Sequence, residues 1–396
     1  MQAYRSRLIF PPQGPPIEHG FVSIGDDGVT ISQNLPDVAP NEVLNLGQVA
    51  VIPGLVNAHT HLEFSDLEEP LGEPGTPLCT WIMDVVASRR AQASGDKRQA
   101  IRKGLGELKA AGTVAVGEIA TLPLEWDWYN DDDVDTVLLL ERLSLDPGRM
   151  PTLVEEASAF LRDAEAGQQM AGFSPHAPYS VHPNLLESLC QRSKECELPL
   201  AMHLAESWEE MELLQSGCGA MEQMLIELGA WNPAAIPRGI EMLHYLQQLS
   251  TAHHALVIHG NYFGNEELEF LAEHRDRMTL VYCPRTHHFF EQGEHPVGQL
   301  IEMGGSVALG TDSRASNPDL SVFEEAKFVA AHYPQIDPQL VLEMATTVAA
   351  KALGIPWHDT SMSFVRLPED CPADPYEALF SGTVINPDEK GFEVNG

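Results

Sequence analysis

Apolar positions along the chain fall into three stretches of different rhythm. Up to residue 52 the runs are short and closely broken: Leu8-Ile9-Phe10 stops at Pro11-Pro12-Gln-Gly-Pro15-Pro16. Phe21-Val-Ser-Ile24 and Val29-Thr-Ile31 then flank Asp26-Asp27-Gly28, which is the signal of a β-hairpin. From residue 51 onward, strand-like apolar runs alternate with amphipathic stretches. Strands are predicted at 51–58, 113–118, 136–140, 171–174, 198–203, 255–259, 278–283 and 306–311. Helical spacing is read at 184–196, 209–228, 266–274 and 320–331. Strands that alternate with helices imply a parallel sheet, and eight of them close a barrel. The competing open, doubly wound sheet lacks support, because no Gly-x-Gly-x-x-Gly turn is present. Beyond residue 355 the rhythm stops. Ser363-Phe-Val-Arg-Leu367 and Gly382-Thr-Val-Ile385 are short strand-like runs suited to pairing with the N-terminal ones. The expected architecture is a (β/α)8 TIM barrel over 53–354, with a small discontinuous β-sandwich domain drawn from 1–52 and 355–396.

Composition narrows the function. Hydrophobic residues make up 43% of the 396 and charged residues 20%, as in an ordinary folded enzyme. A net charge of −35 repels phosphate backbones and anionic lipid, so neither nucleic acid nor membrane is an expected partner. No apolar run reaches the length of about eighteen residues that a membrane span needs. The start, Met1-Gln-Ala-Tyr-Arg-Ser-Arg, lacks the apolar core of a signal peptide. Six cysteines without a Cys-x-x-Cys pair point to reduced thiols and a cytoplasmic location.

A barrel enzyme builds its site where its strands end. The first run finishes in His59-Thr-His61, whose alternation aims two imidazoles the same way. Other apolar runs finish in Ser174-Pro-His176-Ala-Pro-Tyr179, His203-Leu-Ala-Glu206, His259-Gly-Asn and Asp312-Ser-Arg-Ala-Ser-Asn317. A lone histidine after an apolar run is most often a hydrogen-bonded core residue, and Asp312 alone reads as a helix cap. His182, His244, His253, His254, His274, His332 and His358 stay in that bland class. Five strand ends in register outweigh the single-residue readings.

These motifs resemble those of the amidohydrolase superfamily, in its aminohydrolase and chlorohydrolase branch of cytosine, guanine and adenosine-analogue deaminases. The resemblance rests on Pro53-Gly-Leu-Val-Asn-Ala-His59-Thr-His61, Met202-His203-Leu-Ala-Glu206-Ser, Ile258-His259-Gly, Cys283-Pro-Arg285-Thr and Leu309-Gly-Thr-Asp312-Ser. It implies that His59, His61, His203 and Asp312 ligate one divalent metal, with zinc expected and iron or manganese the alternatives. It further implies that Asp312 takes a proton from a metal-activated water, that Glu206 passes one to the substrate's ring nitrogen, and that His259 orients the attacking hydroxide. His176, Arg285, Trp81 and Ser313 are the expected substrate contacts. The fourth strand end carries His176 and no lysine, which argues for one metal. His287-His288 stand where many relatives have Ser-Asn.

The resemblance implies a hydrolase that deaminates a cyclic amidine, such as an aminopurine nucleoside-like compound, with a small-molecule substrate and a homodimeric state common in the family. His61-Leu-Glu63-Phe-Ser65 is similar to the aminodeoxyfutalosine deaminases. Alternatives on the same fold are a cyclic amide hydrolase, a triazine-type chlorohydrolase and a non-enzymatic scaffold. The scaffold reading is the weakest, since such relatives lose metal ligands. Glu63 and Glu118 are candidates for the pocket wall or for structural ion pairs. The Gly- and Pro-rich stretch 71–90, helical around Trp81, is read either as a cover over the pocket or as a surface excursion.

Overall fold

The computed structural model describes residues 2–25, 28–34, 43–91, 96–131, 133–355 and 362–386. The turn at Asp26-Asp27 and His358 lie outside them. Eight parallel strands form the central sheet: β1 (Leu55–Thr60), β2 (Thr113–Ala120), β3 (Asp135–Arg142), β4 (Ala171–Pro175), β5 (Pro199–Leu204), β6 (His254–His259), β7 (Met278–Tyr282) and β8 (Val307–Leu309). Each pairs with its sequence neighbour. β8 returns to β1 through a bridge between Thr60 and Asp312. There the N–H groups of Thr311 and Asp312 donate to the His59 carbonyl at 3.2 and 3.0 Å. This closes the barrel expected from the eight-fold rhythm.

The strands are apolar on both faces, as strands sandwiched between a lumen and a ring of helices must be. Val56, Ile119, Leu139, Ala201, Leu256, Ile258, Val281 and Ala308 belong to one buried cluster, to which helix Thr347–Ala352 adds Ala349, Ala350 and Ala352. Pairing of Ala201 with Leu256, His203 with Ile258 and Val281 with Ala308 sets these side chains on a common inward face. The opposite face, with Val116, Leu140, Phe173, Met202, Val257 and Leu280, packs under the helices.

One irregularity in β1 matters for the site. Asn57 pairs with Val116 and Thr60 with Glu118, so β1 carries one residue more than β2 over that interval, a β-bulge. The extra residue lets both Ala58 and His59 face inward, one toward the apolar cluster and one toward the other histidines. Close approach is part of the arrangement. A Cβ on Gly117 would meet the Ala58 carbonyl at 2.6 Å, and one on Gly310 would meet the His59 Cβ at 2.8 Å.

Two elements differ from expectation. The run 51–58 is two strands. Val49–Pro53 pairs with Met362–Arg366 and with Leu8–Ile9 in a five-stranded sheet, and the chain crosses at Gly54 into β1. The N- and C-terminal segments therefore do share a sheet. A second, four-stranded sheet holds Gln2–Arg5, Phe21–Gly25, Gly28–Ser32 and Val43–Asn45. The single helix read at 209–228 is likewise two, Trp208–Ser216 and Ala220–Glu227. Gly217 and Gly219, at φ +69° and +117°, end the first helix and open the second. Among the described residues no helix is long and apolar enough to cross a membrane.

Candidate active site

At the C-terminal end of the barrel lies a cavity of about 800 Å³. Its floor is built from strand ends: His61 after β1, Glu141 on β3, His176 after β4, His203 on β5 with Glu206 beyond it, His259 on β6 and Asp312 after β8. His59 is wholly buried beneath them. Ligand atoms of His59, His61 and His203 lie within 4.8 Å of one another, as do those of His59, His259 and Asp312. Asp312 Oδ1 is 3.7 Å from Nε2 of both His59 and His61.

This donor set fits a divalent transition ion. Both ring nitrogens of His59 are buried without a hydrogen-bond partner, and an unmet buried donor or acceptor costs about 1–3 kcal/mol. Neutral imidazoles with one carboxylate are what such an ion takes. His203 Nδ1 lies 2.9 Å from the His176 carbonyl. It must be the protonated nitrogen there, which leaves Nε2 as the free lone pair. Burial and the neighbouring imidazoles hold His61 and His203 well below the usual histidine range. Ser316 Oγ donates to Asp312 Oδ2 at 3.1 Å and fixes the carboxylate plane.

Two carboxyls are driven apart electrostatically. Burial by itself would raise Asp312, but the His59 imidazole 3.7 Å away and the other imidazoles around it outweigh this and hold the group ionised, well below the usual range. Burial pushes Glu206 well above the usual range, and the Asp312 and Glu210 charges add to that. His259 is pushed down to about 3 by burial, although the Asp312 charge opposes this. Its Nε2 is 3.5 Å from Glu206 Oε1. His176, pushed down to about 4 by burial, stands beside His203 with Nδ1 2.6 Å from Ser180 Oγ.

The backbone pays for this convergence. Ala205, His259 and Asp312 have φ of +50°, +73° and +58°. Each is a left-handed position costly for a residue with a Cβ, and each sits where a strand turns toward the cavity.

The expected substrate contacts divide. His176, Trp81 and Ser313 line the cavity. Arg285 does not: its guanidinium donates to Glu325 Oε1 at 2.7 Å and to both Asp319 oxygens at 2.6 and 2.8 Å, where it ties β7's following turn to helix Val322–His332. Glu118 faces outward as well, accepting from Thr60 Oγ1 at 2.8 Å and from the Leu62 N–H. Glu63 pairs with Arg89 and accepts from Thr121 Oγ1 at 2.9 Å, so it borders the cavity only through Arg89. Of the stretch 71–90, the helical part forms one wall of the cavity. Helix Leu78–Ala91 presents Leu78, Trp81, Ile82, Val85, Val86 and Arg89 to the cavity, and Trp81 Nε1 donates to the Ala315 carbonyl at 3.0 Å.

Several residues of the site are absent from the expected set. Glu141 follows the same strand-end rule on β3 and was legible by it. Glu210 accepts from the N–H groups of Ala205 and Glu206 at 3.3 and 2.9 Å, and Ser316 reaches Asp312; each lies four or five residues from its target, a local signal. His295 and Gln292, which hold the His259 and Glu206 carbonyls, carry no signal in sequence.

Comparison with known proteins agrees with the geometry. The chain is 29% identical over 318 residues to an aminodeoxyfutalosine deaminase of Deinococcus radiodurans, covering 77% of this chain and 73% of that protein. It is 26% identical over 371 residues to a 5-methylthioadenosine/S-adenosylhomocysteine deaminase of Halobacterium salinarum, covering 86% and 79%. The fold superposes on a Helicobacter pylori aminofutalosine deaminase in complex with methylthio-coformycin with a TM-score of 0.80, at 22% identity and 94% coverage of each chain. It also superposes on a zinc complex of an atrazine chlorohydrolase from Arthrobacter aurescens, with a TM-score of 0.77, 16% identity and coverage of 97% and 93%. A model of the amidohydrolase family matches residues 50–357, which hold the whole barrel and each strand-end residue described above, and the chain belongs to that family.

Proposed function

We propose that this enzyme hydrolytically deaminates an aminopurine nucleoside-like substrate. The observation that carries the reading is the pair of oppositely shifted carboxyls, Asp312 and Glu206, flanking a cluster of unpartnered imidazoles at the floor of a substrate-sized cavity. Amidine hydrolysis needs one group to accept a proton and another to deliver one, and pairs so separated serve those roles. A volume of about 800 Å³ suits a ligand of nucleoside size or larger better than a free base. The names of the relatives support the same class, with aminodeoxyfutalosine and methylthioadenosine as the compounds to try first.

His59, His61, His203 and Asp312 would hold the ion, with zinc the expected occupant. A divalent ion in such a set lowers the pKa of water to about 7. Glu206, kept protonated by its burial, donates to the ring nitrogen beside the amino-bearing carbon. Asp312, kept ionised, accepts a proton from the attacking water and returns it to the departing amine. His259, neutral and 3.5 Å from Glu206, holds the water by hydrogen bonding. The C–N bond to the amine then breaks and ammonia leaves, while the hydroxyl on that carbon gives its remaining proton back to Glu206, so that a ring carbonyl remains and the acid is restored. Trp81 and the other apolar side chains of helix Leu78–Ala91 exclude bulk water on that side.

Ammonia release across a panel of aminopurine nucleosides, bases and aminopyrimidines tests the reading, with metal content measured on the same preparation. Turnover of a nucleoside-like member with bound zinc, iron or manganese is expected. Silence across the panel together with hydrolysis of a cyclic amide would overturn it.

A further inference from the structure

Glu206 and His259 come from different strands, yet both are braced from one loop. Helix Pro284–Phe289 follows β7, and the chain then runs through Gln292 and His295 to helix Val297–Glu302. Gln292 Nε2 donates to the Glu206 carbonyl at 2.8 Å. His295 Nε2 lies 2.9 Å from the His259 carbonyl. The tautomer of His295 is fixed, because its Nδ1 accepts from the Val297 N–H at 3.0 Å. Nε2 therefore carries the hydrogen and donates. His295 is buried, stacks on Tyr282 with centroids 4.0 Å apart, and meets His287 edge-on at 5.3 Å.

The His259 carbonyl is where such a donor matters. With φ at +73°, His259 occupies a conformation that favours glycine, and other backbone geometries compete with it. A donor aimed at its carbonyl selects the one that turns the imidazole toward Glu206. The Glu206 carbonyl accepts a second bond from Asn261 Nδ2 at 2.9 Å, so the Gln292 brace is partly duplicated while the His295 brace is not. The same loop meets the stretch 71–90: the Gly75 N–H donates to the Phe289 carbonyl at 2.8 Å, and Phe290 packs edge-on against Trp81.

We propose that His295, with Gln292, is a positioning residue for the reaction, holding His259 and Glu206 in register through their main-chain carbonyls. Neither side chain touches substrate. The role rests on the deamination reading given above, in which His259 holds the water that attacks the amino-bearing carbon and Glu206 protonates the nitrogen beside it. It also gives His287, buried shortly after Arg285, a use, since it walls one side of the His295 ring.

His295→Phe tests it, because the phenyl ring keeps the stack on Tyr282 and loses the donor to His259 together with the acceptor of the Val297 N–H. Expected is a fall in kcat of about 100-fold, the scale of a small misplacement of a catalytic group, with KM and bound metal unchanged and Tm lowered only as far as the unmet Val297 N–H requires. His295→Gln restores a donor and should recover most of the loss. Gln292→Leu should cost less, because Asn261 remains. In a His259→Ala background, His295→Phe should add nothing further to the loss. The proposal is overturned by an unchanged kcat in His295→Phe, by the same fold loss in the His259→Ala background, or by activity that falls only as Tm or metal content falls. Wild-type protein assayed alongside keeps the two readings apart. If it neither deaminates a nucleoside nor binds coformycin in calorimetry, the deamination reading fails, and with it the reaction these residues serve. Wild-type turnover with an indifferent His295→Phe sinks the brace alone.

Discussion

The two ends of the same eight strands make opposite bargains. In the lower lumen Leu256, Val137, Leu139 and Val281 are buried against the alanines of helix Thr347–Ala352, with no polar atom to satisfy. At the upper end those strands stop in clustered imidazoles, with the ring nitrogens of His59 and Nε2 of His259 unpartnered, one carboxyl held well below the usual range, another pushed well above it by burial, and three residues in left-handed geometry. Close-packed apolar side chains supply stability below, at about 1.5–3 kcal/mol for each large one buried. That surplus lets the upper end hold groups which by themselves would unfold it. Stability and chemistry are thus separated along a strand by only a few residues, as Leu256 and His259 on β6 illustrate.

Substitutions at the two ends should therefore be read out by different instruments. Asp312→Asn is expected to have the largest effect, a loss of kcat of about 10^4-fold, comparable to neutralising the orienting acid of a catalytic triad. Steady-state ammonia release measures it, and retention of substantial turnover would show that the upper end does not depend on this carboxylate. Glu206→Gln should lose about 10^2–10^4-fold while keeping its metal, as elemental analysis can check; intact turnover would remove the proton-delivery role. Leu256→Ala should cost about 2–5 kcal/mol of stability in calorimetry and leave KM unchanged at temperatures where the protein is folded. If activity fell while Tm held, the division between the ends would be wrong.

The smallest effect concerns pH. Burial, with the Glu63 charge, pushes Glu141 up to about 7 from an ordinary 4.5, against the pull of Arg89 and Lys97. An acid whose folded pKa is raised contributes stability that is full below about 4.5 and is lost as pH climbs to about 7, with no further change above. Glu141→Gln should remove that decline. A wild-type melting curve with no pH dependence over this interval, or a variant with the same dependence, would contradict it.

How much of this was legible in the sequence follows from where each signal resides. Histidine after an apolar run is a local pattern, so His59, His61, His176, His203 and His259 could be placed at strand ends before any coordinates. The eight-fold alternation gave the barrel for the same reason. Arg285 shows the limit: it follows β7 as faithfully as the ligands follow their strands, but Glu325 and Asp319, distant in sequence, draw it away from the cavity. His295 shows the converse. Its importance lies in a contact with a residue thirty-six positions earlier, and nothing in its neighbourhood announces that. Helix breaks were legible in principle, since Gly217 and Gly219 interrupt the run read as one helix. The bulge at Asn57–Thr60 was not, because it depends on how β2 is spaced beside it.

That bulge gives the paired imidazoles of His59 and His61 a reading frame. Upstream of it, β1 is phased to the apolar lumen; downstream, to the ligand cluster, and one supernumerary residue converts the first phase into the second. Deleting a single residue there is a frameshift in space. Val56 would keep its place among the lumen side chains while the paired imidazoles turned outward toward the layer under the helices. A barrel copied faithfully in every apolar position, but without that one inserted residue, would fold and have no catalytic centre.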